Sequence, residues 1–112
     1  MNEPIIEEGK RVLHLEAKSI LDLAETLNGN FIAAVHLLKV CRGKVIVTGI
    51  GKSGHIANKF SATLSSTGTP SVFLHPAESS HGDLGMVGEH DLIVGISDGG
   101  ESAEMMPILA FC

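Results

Sequence analysis

The sequence is short of cysteine, of basic residues and of long apolar runs, and each shortage removes a class of protein. Cys41 and Cys112 are the two cysteines in 112 residues, too few for a disulfide framework. With an acidic N-terminus that lacks a basic-then-apolar signal, they predict no disulfide and a reducing cytoplasm. Eight Lys+Arg stand against thirteen Asp+Glu, a net charge of -5. Such a chain has no basic surface to displace counterions from a nucleic-acid backbone, so no nucleic acid is expected as its partner. No apolar run nears the ~18 residues of a membrane span, so no membrane is expected either. A content of 44% hydrophobic and 19% charged residues is nevertheless too apolar for a disordered chain. The length suits one domain, since domains mostly run about 100 to 150 residues.

The pattern of the chain changes at Arg42. Before it, Ile5, Ile6, Val12, Leu13, Ala17, Ile20, Leu21, Leu23, Ala24 and Leu27 recur at three- and four-residue steps, with Glu, Lys and Asp between them. This predicts one long amphipathic helix. Asn28-Gly29-Asn30 stops it, and Phe31, Ala34, Val35 and Leu38 on to Val40 predict a second helix with Asn30 as its N-cap. After Arg42, Val45-Ile46-Val47 has no polar alternation, as a strand buried on both faces requires. A glycine turn, Gly49-Ile50-Gly51-Lys52-Ser53-Gly54, leads into a helix patterned by Ile56, Ala57, Phe60 and Leu64 and closed by the stretch 65–70. Ser71–Leu74 reads as a second strand, the stretch 75–90 as a polar loop, and Leu92–Ile96 as a third strand. Residues 97–102 then repeat the strand-to-glycine-loop-to-helix device.

This alternation predicts an α/β fold, a parallel sheet with helices on both faces, flavodoxin-like, preceded by two helices. Residues 1–41 form the helical lead-in and 42–112 the α/β portion of one domain. The sequence ends inside the helix expected after the third strand, so the domain is expected to be incomplete at its C-terminus. With the strands ordered second, first, third, Leu92–Ile96 would lie at an open edge.

Ligands of such sheets bind beyond the carboxyl ends of the strands, where the glycine loops fall. Gly49 to Gly54 satisfies G-x-G-x-x-G between a strand and a helix. A dinucleotide site would want Asp or Glu at the end of the second strand, which runs instead into His75-Pro76. A nucleotide P-loop would need glycine at position 46, where Ile46 stands. What remains is a loop with an ammonium, Lys52, and a hydroxyl, Ser53, beside a helix start. It suits one phosphate monoester or a polyol, although the glycines would also serve a plain tight turn. Ser97 and Ser102, with the N–H groups of Gly99 and Gly100, offer a second anion cradle. Ser102 reads equally as an N-cap and Asp98 as a turn former.

Between the cradles, His75, Glu78, His81 and Asp83 offer zinc ligands or acid–base groups, or else a polar surface loop. Glu104, one turn into the last helix, either points back toward a bound sugar or complements the helix dipole. His14, His36 and His90 read as solvated, and His55 as a residue opening a helix.

Taken together, Val47 to Lys59, Ser65 to Pro70, His75 to Val87 and Gly100 to Glu104 resemble the sugar isomerase (SIS) domain of bacterial D-arabinose 5-phosphate isomerases. The run His81-Gly82-Asp83-Leu84-Gly85-Met86 is the most specific part. The resemblance implies interconversion of D-ribulose 5-phosphate and D-arabinose 5-phosphate, feeding synthesis of the lipopolysaccharide sugar Kdo. It implies no organic cofactor, a homo-oligomer (tetramers in the family), and tandem CBS domains following the isomerase domain, which are absent from these 112 residues. It implies Ser53, Ser97 and Ser102 around the phosphate, Lys52 near the sugar, His81 in the active site where zinc can bind, and Glu104 among the catalytic acids. Family members usually read Ser-Asn-Ser-Gly-Glu-Ser in the second cradle, where this chain has Ser97-Asp98-Gly99-Gly100-Glu101-Ser102. The change removes a hydroxyl and adds a carboxylate. The family's second catalytic Glu and its catalytic His fall beyond residue 112, so these residues are expected to be inactive as an isomerase. The contrasting expectation is a non-catalytic sugar-phosphate-binding or assembly module of SIS type.

Overall fold

A strand of β-branched residues with no polar face folds only where both its faces are covered. In the computed structural model, which describes residues 2–76 and 83–98, that strand is β1 (Val45–Gly49), and all five of its residues are buried. Among the described residues the sheet has three strands in the order β2–β1–β3, with β2 spanning Ser71–Leu74 and β3 Leu92–Ile96. Both pairings are parallel. Val45 stands opposite Ser71 on one side and Leu92 on the other, and Gly49 opposite Ile96.

Alternate β1 residues build two core layers. Val45 and Val47 meet Ala57, with Leu38, Cys41, Leu64, Phe73, Val94 and Ile96 around them. Ile46 meets Leu74 on the other face, with Val72, Ile93 and Val87. Burying each aliphatic side chain of β1 contributes about 1.5–3 kcal/mol, so the central strand anchors the unit.

The helix after β1 is α3 (Lys52–Ser66), and it buries Gly54, Ala57 and Ser61 against the sheet. Ile56, 61% exposed, and Phe60, 36% exposed, lie on its outer side, so of the expected packing face only Ala57 and Leu64 point to the core. Small residues at steps of three and four let the helix sit close to the strands, and two hydroxyls fasten it. Ser61 and Ser71 share a hydrogen bond of 2.7 Å, and Ser65 Oγ donates to Ser71 O at 2.9 Å.

The chain divides into two compact units, residues 1–36 and 37–112. In the first, α1 (Glu3–Ala24) carries no buried residue. It stops three residues short of Leu27, and Glu25 to Leu27 close it through N–H bonds to Asp22, Leu23 and Ala24 carbonyls. The second helix, α2 (Gly29–Val40), begins earlier than the sequence suggests. Its cap is Asn28, whose Oδ1 accepts from the Asn30 N–H at 2.9 Å, and not Asn30 itself. None of the helices among the described residues is long and apolar enough to cross a membrane.

Candidate functional site

The parallel register brings the ends of β1 and β3 side by side, with Gly49 opposite Ile96. Gly49 must lack a side chain, because a Cβ would sit 2.8 Å from Ser53 O and 2.9 Å from Ile96 O. Gly54 faces the same restriction, its Cβ position lying 2.7 Å from Gly49 O. Gly51 adopts φ +61°, a conformation that favours glycine. The three glycines therefore fold the chain tightly from strand into helix, as the G-x-G-x-x-G reading expects.

Lys52 and Ser53 are the first residues of α3; Lys52 is exposed and Ser53 half-buried. Gly54 N donates to Ile50 O and His55 N to Gly51 O, each at 3.2 Å. The N–H groups of Lys52 and Ser53 thus precede the first helical bonds and, among the described residues, have no acceptor. Such N–H groups and the positive end of the helix dipole favour an anion. Ser97 follows β3 directly and is half-buried; Asp98 beside it is exposed. Lys52, Ser53 and Ser97 therefore share one end of the sheet. Glu78, His81, Gly99, Gly100, Ser102 and Glu104 lie outside the described residues. Asp83 begins a short 3-10 helix (Asp83–Met86). Among the described residues no three His, Cys, Asp or Glu side chains converge; of the candidate zinc ligands, Glu78 and His81 are not among those residues.

Three features escape the sequence reading. A hollow of about 280 Å³ opens beside the loop, lined by Gly51, Gly54, His55, Asn58, Phe73 and His75. His55 and Asn58 are one helical turn apart, a spacing that marks a shared face, but the single polar residues carry no pattern of their own. The hydroxyl of Thr48, 1% exposed, is buried with no hydrogen-bond partner among the described residues.

At the opposite end of the sheet, Asp91 is a hub. Its Oδ1 accepts from the Lys44 N–H at 2.8 Å, and its Oδ2 accepts from Lys44 Nζ and the Gly88 N–H, each at 2.6 Å. Lys44 Nζ also donates to Met86 O at 2.7 Å. The Lys44 ammonium first, then the two backbone N–H groups, hold the Asp91 carboxyl down to about 2. This clasp ties the starts of β1 and β3 to the end of the 3-10 helix.

A family model of the SIS domain matches residues 37–111. The chain belongs to the SIS domain family. Over 103 residues it is 48% identical to the arabinose 5-phosphate isomerase KdsD of Shigella flexneri, covering 92% of this chain and 31% of that protein. It is 47% identical over 105 residues to the arabinose 5-phosphate isomerase GutQ of Escherichia coli K12, covering 94% and 33%. The chain thus spans about a third of these curated relatives. Among solved structures, the c3406 protein of E. coli CFT073, in complex with arabinose 5-phosphate, superposes with a TM-score of 0.92 at 41% identity, covering 99% of this chain and 59% of that one. The SIS chain therefore has the parallel α/β fold expected of it.

Proposed function

We propose that this SIS chain supplies the phosphosugar-binding part of a cytoplasmic aldose–ketose isomerase that interconverts D-arabinose 5-phosphate and D-ribulose 5-phosphate, on the route to Kdo and lipopolysaccharide. The observation that carries the reading is the junction of the Lys52–Ser53 helix start with Ser97 across the Gly49–Ile96 register. The phosphate takes the N–H groups and hydroxyl of the first site, the Ser97 hydroxyl and that of Ser102. The sugar carbonyl then lies within reach of Lys52.

Isomerisation requires a base to remove the proton on the carbon next to the carbonyl, giving a cis-enediol that is reprotonated on the neighbouring carbon. Glu104 and His81 are the proton-transfer groups in this reading, and the Lys52 ammonium stabilises negative charge developing on oxygen. These transfers use protein side chains and call for no organic cofactor. The relatives that share the sequence are isomerases of arabinose 5-phosphate, and the complex of the E. coli CFT073 protein contains that sugar phosphate. The chain corresponds to about a third of those relatives, and the activity of the whole relatives is carried over to it only as this proposal.

Calorimetric titration of the chain with D-arabinose 5-phosphate tests this. Ser53→Ala is expected to weaken binding about tenfold, the loss of one hydrogen bond to a charged group. Absence of binding, or binding indifferent to both Ser53→Ala and Lys52→Ala, overturns the assignment. Asp98 supports the second reading, a non-catalytic sugar-phosphate module, because its exposed carboxylate directly follows Ser97 and repels a phosphate. Conversion of D-ribulose 5-phosphate by the 112-residue chain, above a Lys52→Ala control, would rule that reading out and contradict the expected lack of turnover.

A further inference from the structure

We propose that the hollow between α3 and β2 is a polyol subsite, in which His55 and Asn58 bind hydroxyls of the sugar chain whose phosphate sits at Lys52–Ser53. The inference rests on the phosphosugar reading and extends it to the part of the molecule that distinguishes one sugar from another. Gly51 belongs both to the phosphate loop and to the lining of the hollow, so the two are continuous. Along α3, His55 and Asn58 lie two and five residues beyond Ser53, roughly 3 and 8 Å along the helix axis. That is the reach of a five-carbon chain leaving a phosphate at the helix start.

The chemistry of the lining selects the ligand class. His55 and Asn58 are exposed and open to a ligand, whereas Phe73 and His75 are half-buried and form the floor. The His75 ring stands edge-on to Phe73, with centroids 6.3 Å apart and planes at 79°. Gly54 borders the hollow beside the Phe73 ring, its Cβ position lying 3.8 Å from Phe73 Cζ. An amide and an imidazole hydrogen-bond to hydroxyls, and an aromatic ring suits the C–H face of a sugar. Among the described residues no carboxylate lines the hollow, so nothing in this lining repels the attached phosphate. Its volume of about 280 Å³ is at the small end for ligand pockets and fits a metabolite rather than a nucleotide.

The test compares two ligands on the 112-residue chain. Calorimetry with D-arabinose 5-phosphate and with inorganic phosphate is repeated for His55→Ala and Asn58→Ala, both at exposed positions. Each variant is expected to lose about tenfold in affinity for the sugar phosphate and to bind inorganic phosphate within about twofold of the unaltered chain. Equal losses for the two ligands, or no loss for either, overturn the subsite. If neither ligand binds the unaltered chain, the phosphosugar reading itself fails and the subsite with it. The imidazole proton resonances of His55 in the unaltered chain give a readout independent of mutation. They are expected to shift with the sugar phosphate and not with inorganic phosphate, and the absence of that difference also overturns the proposal.

Discussion

At the scale of single residues, the most constrained side chain is Asp91, which accepts three hydrogen bonds while its side chain is 6% exposed. Its carboxyl is held down from 3.8 to about 2. A group lowered in the folded state contributes stability that is complete above its unfolded pKa and is lost as pH falls through the folded one. Urea midpoints are therefore expected to decline between about pH 4 and pH 2. Asp91→Ala should remove that part of the decline and cost about 3 kcal/mol at neutral pH, because it strands the Lys44 and Gly88 N–H groups. A variant as stable as the parent, with an unchanged acid limb, would mean that the clasp contributes little. Thr48 predicts the opposite sign. Its hydroxyl is buried without a partner among the described residues, so Thr48→Val should raise stability by about 1 kcal/mol in the same urea experiment. Neither residue is legible in the sequence, since ion pairing across 47 residues and an orphaned hydroxyl are tertiary facts that leave no local spacing.

At the scale of elements, strands read well and helix faces less so. Val45–Val47 announces a buried strand because burial on both faces demands an unbroken apolar run, and Ser71–Leu74 and Leu92–Ile96 form where expected. The packed face of α3 keeps Ala57 and Leu64 of its apolar pattern, but Ile56 and Phe60 give way there to Gly54 and Ser61. Close approach of helix and strand outweighs side-chain size. Gly54→Ala should therefore destabilise the unit by about 1–3 kcal/mol, as overpacking does, because the new Cβ meets Gly49 O. Thermal melts that show the variant unchanged would refute the close approach. The loop of residues 49–54 is legible as a tight strand-to-helix turn, but the hollow beside it is not, because it is made jointly by α3 and the end of β2. Asp98, exposed after Ser97, adds a negative charge near the cradle. Asp98→Asn is expected to strengthen D-arabinose 5-phosphate binding about fivefold, a like-charge penalty of ~1 kcal/mol at a solvated site. Equal or weaker calorimetric affinity would turn that carboxylate away from the phosphate.

At the scale of the whole molecule, α1 presents Ile5, Ile6, Leu13, Ile20, Leu21 and Leu23, each more than half exposed. Exposed apolar surface of that kind is usually covered by a partner, and the chain is expected to form a homo-oligomer. Light scattering that shows a cooperatively melting monomer at micromolar concentration would contradict this. The central claim is that sugar phosphate binds at the joined ends of β1 and β3. Its most direct test follows backbone amide resonances of the 112-residue chain during titration with D-arabinose 5-phosphate. The account predicts that the largest shifts fall on Gly51 to His55 and on Ser97 and Asp98, with the Lys52 and Ser53 amides foremost. Shifts confined to α1 and α2, or none at saturating sugar phosphate, would contradict it.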